Sequence, residues 1–217
     1  MNIAILGGGN LGKAISRGLA QAGFLDKGKI TLTNKKISWM EELEGTGITL
    51  SEDNHQAVSE ADIVILAVQP RQLEGLLEEI KGDLITSKHV VASVVTGVSI
   101  SEIQLQLGNE IPIIRVMPNT AIAKMQSMTC IATTENKKGL EEVKSIFDAL
   151  GSTLVIGEQL MQAATVIGAS GIAFFLRYIR AATQGGVEVG FHPEEAQQIA
   201  VQVAKGAAAL LEGTGSS

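Results

Sequence analysis

At 217 residues, 45% of them hydrophobic, the chain can bury a core, and a disordered polymer is excluded. A net charge of −6 argues against nucleic acid or an anionic membrane as partner, because either calls for a clustered basic face; a small molecule fits better. One cysteine, Cys130, closes no internal disulfide, and the chain starts directly in a strand pattern with no signal segment, so a reduced, cytoplasmic protein is expected.

In chain order, short β-branched runs at 2–6, 29–33, 63–68, 89–95, 113–116, 128–132 and 153–156 alternate with helical patterns. Most of these runs are continuously apolar, as in strands covered by helices on both faces, so an α/β fold with a doubly wound parallel sheet is expected over 1–157. From 158 the strand signals stop, and Ala, Gly, Ile, Leu and Val recur at helical spacing, with helices expected at 158–167, 170–189 and 193–212. The last opens on His192-Pro193-Glu194-Glu195, with Pro in the first turn and acids at the positive end of the helix dipole. Helices this apolar are expected to pack on a second copy, giving a homodimer through 158–217. No apolar stretch is expected to reach the roughly 20 residues that span a bilayer, because Gly and polar residues interrupt them. The tail from Glu212 to Ser217 is expected to be a loop or a frayed end.

The chemistry-bearing motif is Leu6-Gly7-Gly8-Gly9-Asn10-Leu11-Gly12, which has the spacing Gly7-x-Gly9-x-x-Gly12 between the first strand and the first helix. Gly7 suits a tight turn, Gly9 lets a pyrophosphate approach the backbone, and Gly12 lets helix and strand pack closely; the helix start supplies N–H groups and dipole. The second strand ends in Thr33-Asn34-Lys35-Lys36, where an NAD site would carry an acid for the ribose diol. A neutral Asn34 followed by cations, with Lys35 as the charge partner, favours the 2′-phosphate of NADP. His55, His89 and His192 are scattered, so no metal site is expected; His89 reads as a strand residue and His192 as a helix cap.

Beyond this turn, several stretches fall in the order found in the pyrroline-5-carboxylate reductase family, over essentially the whole chain. They are Gly7 to Ile15, Asn54, Leu66-Ala67-Val68-Gln69-Pro70, Ser93-Val94-Val95-Thr96-Gly97-Val98, Arg115-Val116-Met117-Pro118-Asn119-Thr120 and Ser170-Gly171-Ile172-Ala173-Phe174. The chain therefore resembles that family, which implies a Rossmann-type domain followed by an all-helical C-terminal dimerisation segment. It also implies NADPH-dependent reduction of 1-pyrroline-5-carboxylate to L-proline, the last step of proline biosynthesis, in a homodimer or a larger assembly of dimers. The resemblance implies that Leu6, Gly7, Gly8, Gly9, Asn10, Leu11, Asn34, Asn54, Ala67, Val68, Gln69, Pro70, Val94, Val95 and Thr96 line the cofactor, with Met117, Pro118 and Asn119 near the nicotinamide. Residues 67–70 and 117–119 also end expected strands, where ligands of open α/β sheets bind. Backbone N–H groups at Ser170 and Gly171, helped by the Ser170 hydroxyl, are the expected anchor for a substrate carboxylate; an ordinary helix cap is the other reading of Ser170.

The chain departs from the family pattern at Gly168-Ala169-Ser170-Gly171-Ile172-Ala173-Phe174, where Ser-Gly-Ser-Gly-Pro-Ala-Tyr is usual, and at Gln69 and Ala121, where Lys and Pro are usual. The family's later Ser/Thr-Pro-Gly-Gly-Thr-Thr-like turn is not reached before Ser217, so the helical segment is expected to be incomplete. These departures keep two alternatives open: a related NADP-linked imine or deazaflavin oxidoreductase, and a non-catalytic NADP-binding relative.

Overall fold

The computed structural model describes residues 1–108, 110–134 and 137–212; the expected loop at 213–217 lies outside them. The chain divides into two compact units, Met1–Ala169 and Ser170–Ser217.

The first unit is built on one sheet with strand order β3-β2-β1-β4-β5-β6-β7-β8. Its strands are β1 (Ile3–Leu6), β2 (Ile30–Thr33), β3 (Thr49–Ser51), β4 (Ile63–Leu66), β5 (Val90–Ser93), β6 (Ile113–Met117), β7 (Ser127–Thr133) and β8 (Gly151–Val155). Its helices are α1 (Asn10–Gln21), α2 (Asn54–Glu60), α3 (Pro70–Ile80), α4 (Ile100–Leu107), α5 (Leu140–Asp148) and α6 (Met161–Ala164). Strand residues alternate between two cores. Ile3, Ile5, Ile63 and Ile65 meet Ile15 and Leu19 of α1 and Val143 and Phe147 of α5 on one face. Ala4, Leu6, Val64 and Leu66 meet α2, α3 and α4 on the other. Coverage on both faces explains why these strands read as unbroken apolar runs.

Two features differ from expectation. The edge strand β3 was not anticipated, because Thr49, Leu50 and Ser51 are few, half-exposed and carry no apolar run. The sheet is also not wholly parallel: β6 and β7 pair antiparallel, Met117 opposite Cys130. Only a short 3₁₀ turn, Thr120–Lys124, joins them, and a parallel return would need a crossover of a dozen or more residues.

Past β8, a 3₁₀ turn (Glu158–Leu160), α6 and a π-helical turn (Thr165–Ala169) follow one another. The second unit then holds α7 (Gly171–Glu188) and α8 (Pro193–Ala209). Its helices approach closely at Gly186, where an added Cβ would lie 2.8 Å from the Cβ of Ala196. His192 caps α8, its N–H bonded to Glu195 Oε2 at 3.0 Å. The expectation that no stretch is long enough to cross a membrane is corrected: Glu158–Glu188 is helical nearly throughout, with a mean hydropathy of 1.5, and passes that test by length and composition. The glycines that interrupt the apolar run in sequence do not interrupt the helix.

His89 precedes β5 and is fully buried, its Nδ1 accepting from the Ile85 N–H at 2.8 Å, while among the described residues Nε2 has no hydrogen-bond partner. Burial, with Lys88 nearby, holds its pKa below the usual value. The folded chain therefore keeps His89 neutral where the unfolded chain takes up a proton near pH 6.5, and stability falls as pH drops below about 6.5. Urea midpoints measured from about pH 7.5 down to 5.5 should fall more steeply for the wild type than for His89→Gln; equal slopes would show that His89 does not carry this dependence.

Candidate functional site

Each glycine of the turn after β1 has a different neighbourhood. Gly7 has φ +123° and sits where a Cβ would be 2.4 Å from the Ala67 carbonyl oxygen. At Gly12 a Cβ would lie 2.0 Å from the Gly7 oxygen, so only glycine lets α1 start this close to β1. At Gly9 a Cβ would meet nothing within 4 Å. Gly9 is also the cap residue of α1, with no side chain to satisfy the first N–H groups and no acid in the first turn. A helix start with orphan donors and open space in front of it is an anion site.

This turn lies over the junction of β1 and β4, where the strand order reverses. The strand ends are tied in line: Gly7 N–H donates to Thr33 O at 3.1 Å, Ala67 N–H to Leu6 O at 2.8 Å, and Val94 N–H to Leu66 O at 3.1 Å. The structure thus brings Leu6 through Leu11, Asn34, Ala67, Val68 and Val94 to one sheet edge. Leu6, Val94, Val95, Met117 and Pro118 are buried. Asn10, Lys35, Gln69, Pro70 and Thr96 are exposed.

Sequence reasoning missed the 3₁₀ turn Ile37–Leu43, which walls this place. A Cβ at Gly8 would fall 2.6 Å from Met40 Sδ and 3.0 Å from Asn34 Cβ. Lys13 Nζ donates to Trp39 O at 3.2 Å and pairs with Glu42 at 3.2 Å; that bond holds the Glu42 carboxyl below its ordinary range. Lys36 is drawn over the Trp39 ring, 5.8 Å from its centroid. Among the described residues Lys35 has no ion-pair partner, which leaves it the available cation beside Asn34. Asn54 opens α2, its Oδ1 accepting from the buried Thr33 hydroxyl at 2.6 Å and its Nδ2 donating to Glu79 at 3.0 Å. The signal for this contact is Thr33 itself, a polar residue ending a buried strand. The neighbouring His55 is held above its usual pKa by its bond to Asp83, 2.6 Å away.

Asn119 stands two residues beyond β6, at the start of the 3₁₀ turn. Its Oδ1 accepts from the Ala121 N–H at 3.0 Å, its Nδ2 donates to the Gly168 carbonyl at 3.0 Å, and its N–H donates to Ser127 Oγ at 3.1 Å. The side chain therefore clamps the π-helical turn to the end of β6, and both ends of its amide are engaged. Ser170 and Gly171 belong to the second unit. Ser170 stands at the N-cap of α7, and its hydroxyl makes no capping hydrogen bond.

Comparison with known proteins fits this geometry. Residues 2–97 match the family described as NADP oxidoreductase, coenzyme F420-dependent, and residues 158–217 match that described as pyrroline-5-carboxylate reductase dimerisation. Pyrroline-5-carboxylate reductase 2 of Dictyostelium discoideum is 40% identical over 97% of this chain and 76% of its own length. The chain belongs to the pyrroline-5-carboxylate reductase family. A second Dictyostelium discoideum relative, pyrroline-5-carboxylate reductase 1, is 45% identical, and this chain spans 40% of its length. The solved pyrroline-5-carboxylate reductase of Coxiella burnetii superposes with TM-score 0.90 at 30% identity, over 100% of this chain and 81% of that one. The Plasmodium falciparum pyrroline carboxylate reductase, solved with NADP bound, shares the fold with TM-score 0.88 at 24% identity, over 100% of this chain and 80% of that one.

The clamp has a measurable consequence within this family member. Asn119→Ala removes one donor and one acceptor from partly buried partners, so unfolding in urea should show a loss of about 1–3 kcal/mol. A loss under about 0.5 kcal/mol would mean that water replaces both bonds.

Proposed function

We propose that the chain reduces 1-pyrroline-5-carboxylate to L-proline with NADPH as hydride donor. The observation that carries this reading is the glycine turn, with open space at Gly9, at the strand-order reversal of a pyrroline-5-carboxylate reductase family fold. Gly7, Gly8 and Gly9, with Asn10 and Leu11, receive the diphosphate on backbone N–H groups. Asn34 and Lys35 take the 2′-phosphate, and the neutral Asn34 spares it an acid. Asn54, Ala67, Val68, Gln69, Pro70, Val94, Val95 and Thr96 line the remaining dinucleotide, and Met117 and Pro118 stand at its nicotinamide end. Bound there, the dinucleotide supplies hydride. The chain's own part is to hold the imine carbon in line with the donor carbon. Ser170 and Gly171 anchor the substrate carboxylate by backbone N–H groups, and Asn119 sets the backbone that precedes them. The imine nitrogen enters protonated, so hydride addition to its carbon gives the amine with no acid required from the protein.

Residues 2–97 also match an F420-dependent family, but that match covers the dinucleotide half alone and does not choose the acceptor. The family match over 158–217 favours the imine. The cytoplasm is the proposed location, with Cys130 buried and free.

The working form proposed is a homodimer joined through α7 and α8. Among the described residues of the second unit the buried hydrophobics are Ala196 and Ala200, while Phe174, Phe175 and Val189 are 67%, 68% and 78% exposed. Apolar area of that kind on helices calls for a protein cover. Light scattering should give twice the chain mass for the wild type and the chain mass for Phe175→Asp; a dimeric variant would place the interface elsewhere.

NADPH oxidation should depend on 1-pyrroline-5-carboxylate and be slower with NADH. Gly9→Ala should stay folded, because its backbone (φ −77°, ψ −174°) suits alanine and its Cβ meets nothing. It should nevertheless weaken NADPH binding about tenfold, or roughly 1.4 kcal/mol. Tight NADPH binding without substrate-dependent oxidation would favour the non-catalytic relative, and unaltered binding by Gly9→Ala would remove the glycine turn from the site.

A further inference from the structure

The segment that follows β8 begins with Glu158, and this carboxylate reaches two distant places at once. Its Oε1 accepts from the backbone N–H of Ile100 at 2.7 Å and from Arg115 Nη1 at 3.1 Å. Ile100 is the first residue of α4, and it lies 58 positions away in sequence. Arg115 is in the middle of β6, opposite Ser93 of β5 on one side and Ala132 of β7 on the other, with its side chain only 12% exposed. A helix leaves its first N–H groups without partners. The start of α4 is closed by local residues in part: Ser99 Oγ accepts from Glu102 N–H, and Glu102 Oε2 accepts from Ser99 N–H at 2.6 Å. Glu158 supplies a further acceptor from outside, and a negative charge at the positive end of the helix dipole.

What lies between β5 and this doubly held helix start is the loop through Val94, Val95, Thr96, Gly97 and Val98. Its entrance is fixed by the bond from Val94 N–H to Leu66 O and by the burial of Val94 and Val95. Its tip turns at Gly97, φ +81°. Its exit is Ser99 and Ile100, where Glu158 acts. The charge of Arg115 is met at the same point by Glu158, so loss of that carboxylate would leave a largely enclosed guanidinium short of a partner as well as freeing the helix start.

We propose that Glu158 is a positioning residue of the cofactor site: it pins the exit of the 94–98 loop through Ile100 and Arg115, and so sets the backbone of the loop that lines the dinucleotide. The proposal rests on the NADPH reading above. Neither Glu158 nor Arg115 touches the dinucleotide in it; both act through the loop.

The test uses the full chain with Glu158→Ala and Glu158→Gln. Glu158→Gln keeps an oxygen for the Ile100 N–H and loses the charge. Hydrogen exchange at 96–100 should be faster in Glu158→Ala than in the wild type, and close to wild type in Glu158→Gln, while exchange in the glycine turn at 7–12 does not change. The KM for NADPH should rise about tenfold in Glu158→Ala and about threefold in Glu158→Gln, with kcat and the KM for the imine within about twofold of wild type. Unchanged exchange at 96–100 in Glu158→Ala would overturn the proposal. So would reduced kcat at unchanged KM for NADPH, the pattern of a bond that serves stability alone. If Glu158→Ala does not fold, Glu158→Gln decides by the KM for NADPH: a rise of about threefold supports the proposal, and an unchanged KM overturns it. A wild type that binds no NADPH would sink the reading of the site, and the exchange measurement would still report on whether Glu158 holds the loop.

Discussion

Helix α1 lies against β1 because residue 12 has no side chain. A single methyl group there would fall 2.0 Å from the Gly7 oxygen, so any other residue forces helix and strand apart. That contact fixes the direction of α1, and with it the point at which its unpaired N–H groups emerge: over the β1–β4 junction, the place where neighbouring connections leave the sheet in opposite directions. The crevice there is a consequence of topology, and its charge preference is a consequence of the helix start. Gly7 and Gly9 then divide the remaining work. The first lets the chain pass under Ala67 in a conformation with positive φ, and the second leaves the space in front of the helix empty.

The parts legible in the sequence were those governed by periodicity and by glycine. Most of the seven expected strands were readable because helices cover both sides of the sheet and turn them into apolar runs; β8, at the other edge, is half exposed and was read from its β-branched residues. The edge strand β3 was hidden because Thr49-Leu50-Ser51 buries nothing fully and so leaves no pattern. The reversal at β7 was hidden for a different reason: Met128 to Ala132 is as apolar as a parallel strand, and only the shortness of the preceding connection betrays its direction. The π-helical turn was equally invisible. Gly168 and Ala169 suggested a break between helices, whereas they close a π-helical turn and the interruption falls at Ser170, the N-cap of α7.

The side-chain network around the glycine turn shows where sequence reasoning stops. Asn34 and Asn54 were readable as polar residues at the ends of structural elements, but nothing in their own sequence neighbourhood reports what holds them. Thr33 and Glu79 grip Asn54 from two different elements. Met40 packs on Gly8 from a 3₁₀ turn that has no strong periodicity. Contacts of this kind join residues 21 to 32 positions apart and depend on a register that only the folded sheet defines.

Asn119 illustrates how the folded context reassigns a residue. In sequence it belongs to Met117-Pro118-Asn119-Thr120 at a strand end, and proximity to the chemistry was the natural reading. In the fold its amide reaches Ala121 and Gly168, bonds that use one of its two N–H donors and one of the two lone pairs of Oδ1. A π-helical turn is a rare, single-turn departure from the α-helix, and the one just before Ser170 carries an external tie. The Asn119 side chain supplies that tie from the end of β6, at the sheet edge where the parallel strands terminate. What the fold adds is a tie of known geometry: one side chain just beyond β6 holds both its own turn, through Ala121, and the π-helical turn, through Gly168.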